Sequence, residues 1–267
     1  MNTAQILSDL KSGYETINCM GDFLTHFVES YPHSSHVREA RTRKYLLANY
    51  REAISNGLES IDDLIGATAR EIWIDDVLHR RKKLNLDSSI IQSEYENAAR
   101  IEGFEKQLLC TKRPVSFNCL YIYFQGTIAL ENLLKIPISD RDNKKIVSFL
   151  TIFQDLTPQL PLQKLFDLYQ TSFPFSKQKA IQHLLRHLGL DSHFNPLSLL
   201  TYRETQILLA MCEDARCKIL AQKFDVSVTT MSNHIAHIQE KIVSPFALHH
   251  VLSKLRTVGK KSYVEEL

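Results

Sequence analysis

The sequence predicts an α+β domain followed by linker helices and an all-α domain, and three observations carry that reading. Alternating apolar residues mark strands on either side of a helical stretch between residues 36 and 156. Apolar residues then recur at helical spacing from 158 to 195, and an ungapped run from Leu200 to Ile242 spells three short helices. A chain of 267 residues suits two domains, and 44% hydrophobic with 23% charged residues is ordinary for a globular protein.

His36 to Ala40 and Lys44 to Asn49 read as two short strands joined by the charged turn Arg41-Thr42-Arg43. Residues 50 to 110 are polar and helix-rich. They end in an amphipathic stretch near Glu94 to Leu109 that stops before Arg113-Pro114, where proline forces extended backbone. From Val115 the period changes to two, with Val115, Phe117, Cys119, Tyr121 and Tyr123 on one side of a strand. Ile128 to Ile138 and Ile146 to Leu156 read as two more, separated by the polar turn Ser139-Asp140-Arg141-Asp142-Asn143. A strand pair, helices and three strands make a sheet with helices on one face, an arrangement that encloses a pocket easily.

In the connection, Leu162, Leu165, Phe166 and Tyr169 form one narrow apolar seam, and Ile181, Leu184, Leu185 and Leu188 form a second beyond a break at Phe173-Pro174-Phe175. Such seams are expected to pack against the same helices of a second subunit. His183 and His187 stand four apart but fall opposite the second stripe and lack the Glu of a zinc-protease motif, so both are expected in solvent.

In the C-terminal run, Thr201 and Glu204 have the spacing of a capping box, and Ile207, Leu208 and Met211 follow as the apolar stripe of a first helix. A second helix runs from about Arg216 to Phe224 and buries Ile219 or Leu220 with Phe224. Asp225-Val226 supplies a turn, and Ser227 is the next N-cap. The third helix puts Met231, Ile235, Ile238 and Ile242 on a core face. Its opposite side carries Thr229, Ser232, Asn233, Ala236 and Glu240, while Thr230, His234, His237 and Lys241 line one flank. That small polar face suits the DNA major groove, where Asn pairs bidentately with adenine, Ser and Thr reach base edges, and flanking Lys or His hold phosphates.

Composition excludes several classes. A net charge of +2 and a pI near 8.2 are no signature of nucleic-acid binding, so that evidence is local. No apolar run approaches the roughly 18 residues of a membrane helix, and the start lacks a signal-peptide plan, so a cytoplasmic protein without membrane contact is expected. Cys19, Cys110, Cys119, Cys212 and Cys217 form no CxxC pair and fit reduced, buried thiols better than disulfides or a zinc site. Scattered glycines give no phosphate-cradling loop. The acid pairs Asp62-Asp63 and Asp75-Asp76 lack the parallel strands of a phospho-acceptor domain, and the run His79 to Lys83 reads as a solvated face. No nucleophile, base and orienting group stand together, so no catalysis is expected.

Two resemblances extend this reading. Leu200-Thr201-x-Arg203-Glu204-x-x-Ile207-Leu208, Leu220-Ala221, Val226-Ser227-x-x-Thr230-Met231-x-x-His234 and Ile238-x-x-Lys241-Ile242 resemble the LuxR-type helix-turn-helix. With a last helix at Ala247 to Leu255, which in that family often supports dimerisation, the resemblance covers about a quarter of the chain. Ser232 stands where the family usually has Lys or Arg, Asp214 where it has Gly, and Ala236 where some members carry a cation. Residues 197 to 267 hold nine Lys or Arg against seven acids, a difference of +2, so one copy is expected to bind DNA weakly and a dimer is implied.

Further upstream, Lys44-Tyr45-x-x-Ala48-Asn49, Ile61-Asp62-Asp63-Leu64-Ile65-Gly66-x-Thr68, Ile136-Pro137-Ile138-x-Asp140 and Ile152-x-x-Asp155-Leu156-Thr157 are similar to a PAS domain, with another small α+β sensor fold such as GAF as the alternative. Residues 88 to 110 hold no His to carry a haem, the flavin-adduct cysteine motif is missing, and the single Trp73 argues against an acyl-homoserine-lactone sensor, so the cofactor is left unknown.

The resulting expectation is an N-terminal helical extension (1–22), a PAS-like sensor domain (23–157), linker helices (158–195) and a LuxR-type DNA-binding domain (196–267). Its partners would be double-stranded DNA, a second copy of the chain and a small-molecule ligand of the sensor. Base contact falls to Thr229, Ser232 and Asn233, and phosphate contact to Thr230, His234, His237 and Lys241, with Ser227 at the helix start and Lys218 near the entrance of the second helix. The alternative is a protein-interaction adaptor whose helix-turn-helix has lost DNA binding.

Overall fold

The alternating residues of the N-terminal half pair into one antiparallel sheet. The computed structural model describes residues 15–72, 88–123, 125–140 and 145–264. Its first unit, Met1–Asp155, runs α1 (Glu15–Ser30), β1 (Ser35–Glu39), β2 (Tyr45–Ala48), α2 (Tyr50–Ser55), α3 (Ser88–Thr111), β3 (Val115–Ile122), β4 (Ile128–Ser139) and β5 (Ile146–Asp155). The strand order is β2-β1-β5-β4-β3, and the early and late strands meet where β1 pairs with β5, His36 opposite Thr151 and Arg38 opposite Phe149. This is the α+β, PAS-like arrangement expected. α3 starts at Ser88, ahead of the Glu94 where the apolar pattern becomes legible.

Side chains alternate across a strand, so β1, β4 and β5 feed two faces. On one, Phe149 and Val115 pack with Leu108 of α3, and Phe104 stacks on Phe117 with ring centroids 4.0 Å apart. On the other, Val37, Leu150, Ile152, Ile136 and Ile138 lie under Val28, Leu24 and Phe27 of α1. The expectation of helices on one face is therefore corrected: these strands are apolar on both sides, and each side needs a cover.

Asn49 ties this unit together. Its carbonyl oxygen accepts the Glu52 amide at 3.0 Å, capping α2, and the Ser35 amide at 3.2 Å, while its amide nitrogen donates to the carbonyls of His33 at 2.6 Å and Tyr31 at 3.2 Å. Gly66 bends back with φ +85° so that its amide donates to the Tyr45 carbonyl at 2.9 Å, a left-handed conformation that needs glycine. Asp62 and Asp63 lie exposed in a single 3-10 turn started by Ser60. Trp73, Asp75, Asp76, the run His79 to Lys83 and residues 141–143 of the polar turn lie outside the described residues.

The second unit, Leu156–Leu267, is helical: α4 (Leu162–Ser172), α5 (Lys177–His187), α6 (Tyr202–Glu213), α7 (Cys217–Lys223), α8 (Val228–Glu240) and α9 (Leu248–Val264). α4 and α5 pack on each other and on α6, and Leu165, Phe166, Tyr169, Ile181, Leu184 and Leu185 are buried between them. The seams expected to face a second subunit are thus filled by the chain itself. Because α5 is gripped from two sides, its buried arc is wider than its leucine stripe. His183, expected in solvent, is 8% exposed and stacks on Phe173 at 4.7 Å, and burial pushes its pKa down to about 4. His187 is half-buried, its Nδ1 2.9 Å from the Tyr169 hydroxyl.

α9 buries Val251, Leu252 and Leu255 and runs on to Val264. Of the described thiols Cys119 is buried, whereas Cys110 is exposed and Cys212 and Cys217 are half-buried, so the expectation of buried cysteines holds only in part. Among the described residues no helix is long and apolar enough to cross a membrane.

Asn49→Ala removes a helix cap and strands buried carbonyls. It is expected to cost about 2–4 kcal/mol in urea unfolding, with an unchanged m-value.

Candidate functional site

Three helices of the second unit build a polar surface. α6 starts with the full capping box: the Glu204 amide donates to the Thr201 hydroxyl at 3.2 Å and the Thr201 amide to the Glu204 carboxylate at 2.6 Å. α7 buries Leu220 and Ala221, while Ile219 stays exposed. It stops at Phe224 because Asp225 turns left-handed, φ +51°, and the amides of Asp225 and Val226 close onto the carbonyls of Gln222 at 3.3 Å and Ala221 at 3.0 Å. The Arg203 guanidinium donates to the Phe224 carbonyl at 2.8 Å and lies over the Phe224 ring, tying α6 to this turn. Ser227 then caps α8 by accepting the Thr230 amide at 3.0 Å.

Along α8, Met231 and Ile238 are fully buried and Ile235 is half-buried, whereas Thr229, Ser232, Asn233, Ala236 and Glu240 are exposed together on the other side. Thr230 and His237 are exposed on the flank, His234 is half-buried, and Lys218 is exposed on α7. The Ser227 hydroxyl lies 2.8 Å from that of Thr230, and Ser232 Oγ lies 3.4 Å from Cys217 Sγ, which pins the start of α7 to α8.

Lys241 departs from expectation. Its ammonium points inward, donating to Glu204 Oε2 at 2.6 Å and to the Leu199 carbonyl at 3.2 Å, so in this structure it is held as a clamp and does not stand out on the polar flank. The physical reason is the Glu204 carboxylate: burial raises its pKa, but the Lys241 ammonium and the Thr201 donors more than compensate and hold it ionised. Sequence reasoning missed the positioning roles of Arg203 and Cys217 and the reach of Glu204 to Lys241, for which the helical period holds no signal.

The first unit holds a second candidate site, a cavity of about 240 Å³ lined by His36, Arg38, Tyr45 and Glu52, by Glu105 of α3, and by Tyr121, Leu133, Lys135 and Phe153 of the sheet. His36, Thr151 and Lys135 form one row across β1, β5 and β4. Glu105 is 1% exposed and gathers three cations: Lys135 Nζ at 3.0 Å, Arg43 at 3.2 Å, and Arg38 in direct contact. Burial would raise the Glu105 carboxyl, yet Lys135, Arg38 and Arg43 hold it down at about 2. Burial, with Arg38 beside it, lowers the Lys135 ammonium to about 8. His36 is pushed to about 4 by burial despite Glu52, whose oxygen is 3.1 Å from Nδ1. The sequence signal for this cluster is a charge in the inward phase of an apolar strand, as at Arg38 and Lys135.

Residues 198–244 match the family model described as bacterial regulatory proteins, luxR family, and this part of the chain is a LuxR-type helix-turn-helix domain. No curated protein matches the chain significantly. Among solved structures the chain is similar to Vibrio cholerae VqmA in a complex with ligand and DNA, at 17% identity over 91% of this chain and 89% of that one, TM-score 0.42. It is also similar to the PAS domain of Bordetella pertussis BvgS, at 18% identity over 57% of this chain and 98% of that one, TM-score 0.40. The phage VqmA–DPO complex is a third, at 16% identity, 92% and 91% coverage and TM-score 0.36.

Lys241→Ala is expected to lower stability by about 1–3 kcal/mol, seen as a lower Tm, while leaving the salt dependence of DNA binding unchanged. Glu105→Ala leaves the buried Arg38 and Lys135 and the partly exposed Arg43 without their carboxylate and is expected to cost about 3–5 kcal/mol in denaturant unfolding. In the parent chain the Glu105 contribution is complete above the ordinary carboxylate value of 4.5 and fades as pH falls toward about 2, a slope the variant should lack.

Proposed function

We propose that the chain is a sequence-specific DNA-binding transcriptional regulator, that it acts as a homodimer, and that its PAS-like unit senses a small molecule or mediates dimerisation. The observation that carries this reading is the outer face of α8, where Thr229, Ser232 and Asn233 are exposed on a helix whose buried side holds Met231 and Ile238. A helix so presented fits the major groove. Asn233 takes adenine through its N6 and N7, Thr229 and Ser232 take neighbouring base edges, and Lys218, Thr230, His234 and His237 face phosphates. Ser227 serves by fixing the helix start.

Dimerisation follows from charge. α8 contains no Lys or Arg, and Lys241 is committed to Glu204, so one copy neutralises few phosphates. Two copies double both the phosphate and the base contacts. A DNA reader works where the chromosome lies, and a cytoplasmic location is part of the same proposal.

The same shortage of cations favours, as the second reading, an adaptor that keeps the helix-turn-helix for protein contact. Fluorescence anisotropy on genomic fragments against random duplex separates the two. Asn233→Ala is expected to weaken the best site by about 1–3 kcal/mol and to leave random duplex nearly unchanged. Equal losses on both, or no preference for any fragment in the parent chain, would sink the DNA-reading assignment.

A further inference from the structure

The charges around the cavity of the first unit do not balance. Arg38, Arg43 and Lys135 bring three positive charges against two negative ones from Glu105 and Glu52, with His36 neutral, while exposed Arg70 and Glu102 at the rim offset each other. The described lining therefore carries a net +1, with Arg38 and Lys135 themselves buried. An uncompensated cation in such a place is costly, and a monoanion would remove the cost.

Among the buried polar atoms of the lining residues, Arg38 Nε and His36 Nε2 have neither a hydrogen-bond nor an ion-pair partner among the described residues. Both residues are at most 4% exposed, and they stand two apart on β1 and both line the cavity. The arginine N–H can only donate. His36 Nδ1 faces an ionised Glu52 oxygen at 3.1 Å, so the ring proton sits on Nδ1 and Nε2 is an acceptor. The site thus asks for an anionic oxygen at one end and a hydrogen-bond donor at the other. Tyr45, Tyr121 and Phe153 line the space between as aromatic walls.

We infer that this cavity binds a small, flat monocarboxylate bearing a hydroxyl or amino group, the carboxylate on Arg38 and Lys135 and the donor group on His36. A volume of about 240 Å³ limits the occupant to the size of one substituted ring. The inference deepens the sensor reading by giving the ligand a chemical class.

The test is calorimetric titration of the full chain with para-hydroxybenzoate, its methyl ester, benzoate and benzylamine. Para-hydroxybenzoate is expected to bind, benzoate about tenfold more weakly for want of the donor, and the ester and the amine not measurably. Arg38→Met should abolish binding, and His36→Phe should make the two acids equal, so a fold defect in the first variant leaves the second to decide. Equal binding of acid and ester, binding of the amine alone, or no binding by any of the four overturns the inference. DNA affinity measured with and without para-hydroxybenzoate addresses the sensor reading separately. Binding without an effect on DNA leaves the ligand class standing and removes the sensing role.

Discussion

The Glu204 carboxylate is shared between the first turn of α6 and the end of α8, and the candidate DNA-reading surface depends on that sharing. One of its oxygens accepts both the Thr201 amide and the Lys241 ammonium. Lys241 also reaches the Leu199 carbonyl, and its own carbonyl accepts the Asn195 amide at 3.0 Å, so the C-terminal end of α8 is fastened at several points to the segment that leads into α6. Arg203 fastens the other end through the turn after α7. A helix held at both ends has a fixed rotation about its axis. That rotation turns Met231 inward and Asn233 outward.

This fastening has a cost for nucleic-acid binding. A lysine at the end of a recognition helix would ordinarily serve a phosphate, and here its charge is spent inside the protein. The polar groups on the exposed side of α8 are only small ones, histidines and an acid, which would discriminate bases better than they would supply affinity. A domain built this way gains from being presented twice.

The first unit uses the same device with a different balance. Glu105 organises Arg38, Arg43 and Lys135 as Glu204 organises Lys241, but one carboxylate faces three cations and the second carboxylate, Glu52, is already close to His36. Where Glu204 and Lys241 neutralise each other, the cavity keeps a surplus. A matched pair makes a clamp; an unmatched one leaves a charge over, which is the premise of the proposed ligand site.

The strands, the three C-terminal helices, the capping box and the outward face of α8 were all legible in the sequence, because each rests on contacts within a few residues that leave a period of two or 3.6. The α1 cover on the second sheet face, the burial of His183, the inward turn of Lys241 and the Glu105 cluster were not. Each depends on a partner far away in the chain, as Glu204 is from Lys241 or Glu105 from Lys135. Local patterning determines which way a side chain leans from its own helix or strand, whereas what it meets there, and hence whether a charge is free, paired or in surplus, is decided only when distant elements pack.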